Sequence, residues 1–404
     1  MTEAQIQAVG PAFEAFLKPF RPFCGKAPVA DHVRVYCRGL LGDLPRKSVE
    51  PIALAAGTPP RTLQRFLTTR KWDHDGVRDE LQRQVRNHLR SRPRDPRSAD
   101  ALGVVGVIDE TSDDKKGDKT PGVQRQYLGC EGKVDNGIVT VHLGVSCGRL
   151  HTLVDRDLYL PRSWCDDADR RREAGVPDDV TFRTKWQIAL DQWLHAARGG
   201  LRFDWLTFDE GYGAMVPLLT VFAITGQKFV GEIPVNFSVD TPRGPRRVDR
   251  VLPEAKAVRG RRYRLKRETV ADQIWRAARK AVTVRGRRYT LVAAINEATG
   301  EVKYFLANGR ASVRRFLAVA FRRWTVEHSF RVAKSEIGLM HFEGRHYAGL
   351  LRHLTLSLLA LTFVAIQTDR LRGEKSGGDA GAGVPGAERV LRAPLAEAAR
   401  PLAA

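Results

Sequence analysis

Two short apolar runs, each ending in a carboxylate, constrain this chain more than any other feature. Val104-Val105-Gly106-Val107-Ile108 leads into Asp109, and Trp205-Leu206-Thr207-Phe208 leads into Asp209. Runs this short, rich in β-branched and aromatic residues and without polar alternation, read as buried strands. In open α/β sheets the carboxyl ends of such strands are where ligands are met. A third acid, Glu327, stands in a helical, arginine-rich stretch, Arg322-Arg323-Trp324-Thr325-Val326-Glu327-His328. Acids delivered by two strand ends and one helix are a way to hold Mg²⁺ against phosphates. That hard cation takes oxygen ligands, usually a few carboxylates plus substrate oxygens. An Asp that merely terminates or caps a strand is the ordinary alternative for each strand-end acid taken singly. Glu110 and Glu210 follow the two aspartates, but neighbours on a strand face opposite sides, which leaves Asp109 and Asp209 as the candidate ligands.

The elements around these acids predict an α/β core, a mixed sheet flanked by helices. Ile138–Ser146 and Leu150–Tyr159 read as strands joined by the turn Cys147-Gly148-Arg149. Phe182–Ala197 has helical spacing, Met215–Ile224 is a helix and Lys228–Ile233 a strand. From Asn236 to Gly309 the texture changes to antiparallel strands at Arg261–Arg267, Val282–Val284 with Arg288–Ile295, and Val302–Ala307, with a short helix at Ala271–Lys280. Helical character returns at Ser312 and runs through Val332. The apolar stretch Leu354–Ile366 is shorter than the ~20 residues a bilayer needs and reads as a buried helix.

Residues 1–92 look helical, and Ser48–Trp72 resembles a helix-turn-helix. Val49, Ile52, Ala53 and Ala56 fall on one stripe and Gly57 breaks the helix. Thr58 is the expected N-cap, and Pro59 the first residue of a second helix. That helix turns Leu63, Phe66 and Leu67 inward and Arg61, Gln64, Arg65 and Thr68 outward. The outward set suits the major groove, and equally suits the solvated basic face of an ordinary helical hairpin. Arg90–Ala101 reads as a linker, and residues 373–404, rich in Gly, Ala and Pro, as a flexible tail. These features divide the chain into a helical N-terminal domain (1–92), a first part of the core (100–235), a β-rich basic insertion (236–309), a completion of the core with the Glu327 helix (310–370) and a tail (371–404).

Lys and Arg number 67 against 46 Asp and Glu, a net charge of +21. A charge this large favours a polyanionic partner such as nucleic acid and says nothing of fold. Five scattered cysteines without a CxxC pair argue against a disulfide framework or zinc ribbon, and read as free thiols in a reducing compartment. Met1-Thr2-Glu3-Ala4-Gln5 lacks the basic and apolar regions of a signal peptide. These features together predict a cytoplasmic protein without a membrane segment.

At about 100° per residue, Arg323, Glu327, Arg331 and Lys334 share one helix face, while Val326, Phe330 and Ile337 form a separate apolar stripe. Intrahelical ion pairs on a solvated helix give a similar pattern.

With these motifs the chain resembles the DDE transposases of bacterial insertion sequences, the branch with a β-rich insertion between the second and third acids. The first motif is Ile108-Asp109-Glu110-Thr111 and the second Asp209-Glu210-Gly211-Tyr212-Gly213. The family's third motif, Tyr-x-x-Arg-x-x-x-Glu-x-x-x-x-x-x-Lys, is matched at Arg323, Glu327 and Lys334, with Ala320 at the tyrosine position. The resemblance covers about residues 100–368. It implies a ribonuclease H-like core in which Asp109, Asp209 and Glu327 bind two Mg²⁺ ions, Mn²⁺ substituting. Arg323, Lys334 and Arg331 would bind phosphate. It further implies cleavage at transposon ends followed by attack of the freed 3′-OH on target DNA, double-stranded DNA as partner, and a homodimer in the complex. The three carboxylates are expected within roughly 10 Å of one another. In related enzymes an aromatic ring of the insertion stacks on a flipped base; Trp275 is the candidate here, with a packing role as its alternative. A domesticated, catalytically silent DNA-binding relative and a ribonuclease H-like nuclease are the competing readings.

Overall fold

The computed structural model describes residues 7–92, 99–265 and 273–375. Helices open the chain: α1 (Val9–Leu17), α2 (Ala27–Leu41), α3 (Val49–Ala55), α4 (Pro60–Thr68) and α5 (His74–Ser91). Four strands follow, β1 (Val105–Asp114), β2 (Gln124–Leu128), β3 (Lys133–Cys147) and β4 (Leu150–Leu158). Then come α6 (Lys185–Arg198), β5 (Trp205–Phe208), the single turn α7 (Glu210–Gly213), α8 (Val216–Ile224) and β6 (Phe229–Ile233). Strands β7 (Arg261–Leu265), β8 (Gln273–Val284), β9 (Arg287–Asn296) and β10 (Val302–Ala307) precede the closing helices α9 (Val313–Ala320), α10 (Trp324–Val332) and α11 (Tyr347–Lys375).

All ten strands join one mixed sheet in the order β2-β3-β1-β5-β6-β10-β9-β8-β7, with β4 pairing the remaining length of the β3 edge that β2 uses. β1, β5 and β6 run parallel, and β3 and β10 are antiparallel to their neighbours. The strands of the basic 236–309 segment therefore extend the core sheet, β10 bonding to β6 from Tyr304↔Ile233 to Ala307↔Val230. A separate two-stranded ribbon, Ser238–Val239 with Arg246–Arg247, lies in the same segment.

Several elements depart from expectation. Of the helix expected at Ala271–Lys280, Ala271 and Asp272 lie outside the described residues, and from Gln273 onward the segment is part of strand β8 instead, its Trp275 and Ala277 buried, paired with β7 as far as Ala277 and with β9 from Trp275. Ala, Arg and Lys favour helix locally, and pairing on both edges overrides that preference. The stretch from Ser312 is not one α-helix. A 3₁₀ turn, Phe321–Arg323, separates α9 from α10, and a π-helical turn, Ala333–Ile337, ends α10. The α3–α4 turn sits one residue later than expected. Pro59 is the N-cap of α4 and Pro60 its first residue, while the Thr58 amide donates back to the Ala53 carbonyl. Ile52, Ala53, Leu63, Phe66 and Leu67 are buried as expected, but Ala56 is exposed. The proposed linker lies partly outside the described residues, since α5 reaches Ser91 and description resumes at Ala99; the tail from residue 376 lies wholly outside them.

α11 is long and apolar enough to cross a membrane, yet 94% of its apolar window is buried inside the protein. It packs on β4 and on α2, α4 and α5, with Phe363 edge-on to Phe13 of α1 at 5.1 Å. The N-terminal helices and the sheet thus share one core through α11. The described cysteines are all free thiols.

Candidate active site

Asp109 is the fifth residue of a ten-residue strand rather than its end. β1 continues to Asp114 because its antiparallel partner β3 continues with it, from Asp109↔His142 to Asp114↔Gly137. On the other edge the parallel partner β5 stops, with Ile108↔Phe208 the last pair. Asp109 is therefore the first β1 residue past the end of β5, and Asp209 follows Phe208 at the same level on the neighbouring strand. Neighbouring strands lie about 4.8 Å apart, so this register alone brings two acids a hundred positions apart side by side.

Asp209 is also the N-cap of α7. Its Oδ1 accepts from the Gly211 amide at 3.0 Å and the Tyr212 amide at 3.2 Å, bonds that do not use Oδ2. The Gly at 213 is required by close approach: a Cβ there would sit 1.7 Å from the Glu232 carbonyl oxygen of β6. The capping alternative for Asp209 is thus realised, through Oδ1.

Glu327 reaches the site from α10. Arg323 lies between the acids, its Nη1 3.2 Å from Asp109 Oδ2 and its Nη2 2.9 Å from Glu327 Oε1. The 3₁₀ turn carries Arg323 at the start of α10. The apolar stripe Val326, Phe330 and Ile337 is buried as expected. Phe330 meets the ring of His142, the cross-strand partner of Asp109, at 5.2 Å. Helix α10 therefore packs on the face of the sheet that Asp109 shares. Lys334, in the π turn, donates from Nζ to the Ser112 carbonyl at 3.2 Å, three residues past Asp109 on the same strand. Arg331 is exposed. Arg61, Gln64 and Arg65 are exposed on α4, opposite its buried side.

Burial pushes the Asp109 carboxyl up to about 7. The Arg323 charge pulls it back, and the Asp209 charge raises it again. Burial works against the charge of Arg323, but attraction to Asp109 and Glu327 outweighs it and holds the guanidinium above its ordinary range. Among the described residues, no three His, Cys, Asp or Glu side chains converge as a ready-made metal cluster. The acids flank a cation, Arg323, instead. The donor set nonetheless fits a hard divalent ion: only carboxylate oxygens, two of the acids on adjacent strands, in a place where the existing negative charge already recruits a cation.

Glu110, Tyr212 and Lys185 lie beside these acids, and of the three only Lys185 stands outside the quoted motifs. Glu110 faces away from Asp109, as strand alternation requires, and takes Lys185 Nζ at 2.5 Å and the Tyr212 hydroxyl at 3.2 Å. Burial, then the Glu110, Asp109 and Asp209 charges, push the Tyr212 phenol well up. Tyr212 thus stays a neutral donor, locking α7 to β1. Only the Gly-Tyr-Gly spacing after Asp209 could have pointed to it; Lys185 has no sequence signal at all. Trp275, by contrast, is 1% exposed and packs on Phe321 with ring centroids 4.7 Å apart, so it is not presented for stacking on a base.

A family model described as "DDE superfamily endonuclease" matches residues 22–291 of this chain, a range that holds Asp109 and Asp209 and stops short of Glu327. A curated relative from Microchaete diplosiphon, "Probable transposase for insertion sequence element IS701", is 34% identical over 177 residues. That match covers 43% of this chain and 41% of the relative, so the chain spans less than half the length of the protein it matches.

Proposed function

The chain belongs to the DDE superfamily endonuclease family, and from that premise we propose that it is an insertion-sequence transposase. It cuts DNA at the ends of its element and joins them to target DNA, with Asp109, Asp209 and Glu327 as the catalytic acids. The observation that carries this reading is the register of β1 and β5, which sets Asp109 beside Asp209 where the sheet opens, with Glu327 linked to Asp109 through Arg323.

The three acids would hold divalent ions, Mg²⁺ or in its place Mn²⁺, which supply polarisation of the phosphate and activation of the attacking oxygen. The protein's own part is positioning and charge. Burial favours the neutral form of the Asp109 carboxyl and the Arg323 charge opposes it, so a cation bound there would favour the carboxylate. Tyr212 and Lys185 hold Glu110 on the other face, keeping β1 and α7 in register. Arg323, paired with two carboxylates in the protein alone, is placed to turn its fork of donors to a phosphate once those carboxylates are otherwise neutralised. Lys334, at Ser112, contributes a second cation along the same strand, and Arg331 an exposed third. Helices α3 and α4 are the proposed end-reading unit, with Arg61, Gln64 and Arg65 toward the bases. Two copies acting on two ends are the proposed assembly.

The test uses the DNA that flanks the coding region. Incubated with Mg²⁺, the full chain is expected to nick at the inverted repeats and to join the freed ends to a plasmid target. Cleavage without joining would make it a nuclease, and sequence-specific binding without cleavage a silent relative. Asp109→Asn, Asp209→Asn and Glu327→Gln should each abolish both steps and leave end binding intact; normal cutting by any of them removes that acid from the site.

A further inference from the structure

We propose that Lys47 is a positioning residue that fastens the end of the Glu327 helix to the DNA-reading helices, so that α10 is set for reaction by the part of the protein that holds the transposon end. This rests on the reading of α4 and α10 given above.

Lys47 lies between α2 and α3 and is only 2% exposed. Its Nζ donates to the Leu40 carbonyl at 2.6 Å and to the Glu336 carbonyl at 2.5 Å. Leu40 is in the last turn of α2, and Glu336 in the π turn that continues α10. Terminal carbonyls of a helix lack intrahelical partners and carry the negative end of its dipole. One ammonium therefore closes two helix ends that belong to distant parts of the chain. The Lys47 amide also donates to His341 Nδ1 at 2.9 Å, and Arg46 pairs with Glu343. Gly338, whose φ of +80° makes the turn out of the π segment, lies against Lys47; a Cβ there would be 2.7 Å from the Lys47 Cβ.

A second tie runs parallel to this one. His353 of α11 lies 3.1 Å through Nε2 from the carbonyls of both Gly338 and Leu339, so Nε2 carries the proton and Nδ1 accepts from the Tyr36 hydroxyl of α2 at 2.9 Å. Burial holds this ring neutral, at about 4. The stretch 336–343 is thus fixed on its N-terminal-domain side by Lys47, Arg46 and, through His353, Tyr36.

The opposite side of Lys47 leads directly into the reading unit. Ser48 is the N-cap of α3, and α3 leads into α4. The far end of α4 is held in turn by Arg352 of α11, which donates to the Leu67 carbonyl at 2.9 Å and the Thr68 carbonyl at 3.2 Å. Lys334 stands two residues before Glu336, and Glu327 seven before Lys334. A shift of the reading helices is therefore passed by Lys47 to the turn that sets Lys334 against Ser112. Burying an ammonium is costly, and an apolar side chain of similar length would pack the same space. What the ammonium adds is register, since it has to meet two particular carbonyls at once.

The test compares end binding with single-turnover cleavage at saturating full-length protein, on a duplex carrying one element end. Lys47→Met is expected to keep the parental binding constant and to cleave about tenfold or more slowly, as a catalytic group displaced by a fraction of an ångström would. Lys47→Arg, which keeps a donor for both carbonyls, is expected to recover most of the rate. A parental rate in Lys47→Met, or losses of binding and rate in equal proportion, overturns the proposal. Should Lys47→Met fail to fold, Tyr36→Phe removes only the parallel tie and is expected to show the same split in smaller measure; parental cleavage by that variant then overturns it. If the parent itself does not cleave, or cleaves undiminished as Asp109→Asn, the transposase reading fails first and the role of Lys47 falls with it.

Discussion

Arg323 and Asp109, 214 positions apart in the chain, stand 3.2 Å apart at the point where β1 outruns β5. The pairing makes the guanidinium part of the acid site itself rather than of the general basic surface. The 3₁₀ turn that precedes α10 leaves Arg323 and Glu327 paired. Arg323 needs only to span one turn to Glu327, which it does at 2.9 Å.

Arg323→Ala is therefore expected to lower the single-turnover cleavage rate by about a hundredfold, the scale for losing one preorganised donor to developing charge. End binding should weaken by no more than one phosphate contact. Titration of binding against salt checks this, because losing an ordinary phosphate contact lowers the slope by about one and leaves the rate of the chemical step alone.

Asp109 gives a pH signature without metal. Its folded-state value near 7 lies above the ordinary carboxylate value of 3.8, so the folded protein binds the extra proton that the unfolded chain releases. Between about pH 4 and pH 7 this group's contribution to stability falls as pH rises, and above 7 the buried charge is fully present. Asp109→Asn, which stays neutral, should melt at a higher temperature than the parent at pH 8 in EDTA, with the gap closing toward pH 5. A gap independent of pH would mean that Asp109 does not titrate in this range.

Lys334→Ala should slow the chemical step at saturating protein. Its ammonium is held at Ser112 on the strand of Asp109, and the proposed role would have its charge act on the chemical step rather than on the approach of DNA. A change confined to the binding constant would place Lys334 with the other surface cations.

Gln64→Ala and Arg65→Ala should each cost about 1–3 kcal/mol in binding to the element end, and relax specificity at one base pair, if α4 lies in the major groove. Footprinting of each variant measures this. Unchanged protection by both would move recognition away from α4.

How much of this was legible in the sequence depended on how local each feature is. The runs ending at Asp109 and Asp209 were readable because buried parallel strands are short and uniformly apolar. That β1 continues past Asp109 was not, because its polar second half, Glu110-Thr111-Ser112-Asp113-Asp114, is held in strand form by β3. The half-polar edge strand β2 was missed for a similar reason, and β8 was mistaken for helix where Ala and Arg dominate. The i, i+4 relation of Arg323 to Glu327 is local and was visible. The bonds of Glu110 to Lys185 and Tyr212, and of Lys47 to Glu336, join residues that only the finished fold brings together.

Helix α11 has a consequence for how the protein is made. It is the last described element to leave the ribosome, yet it fills the groove between the N-terminal helices and β4. Until it emerges, α2, α4, α5 and β4 present the apolar surfaces it will cover, and so the nascent chain carries an open seam along its whole length of assembly. Closure of the core waits on the emergence of α11, and a chain cut before Tyr347 would be a sticky fragment rather than a smaller version of the protein.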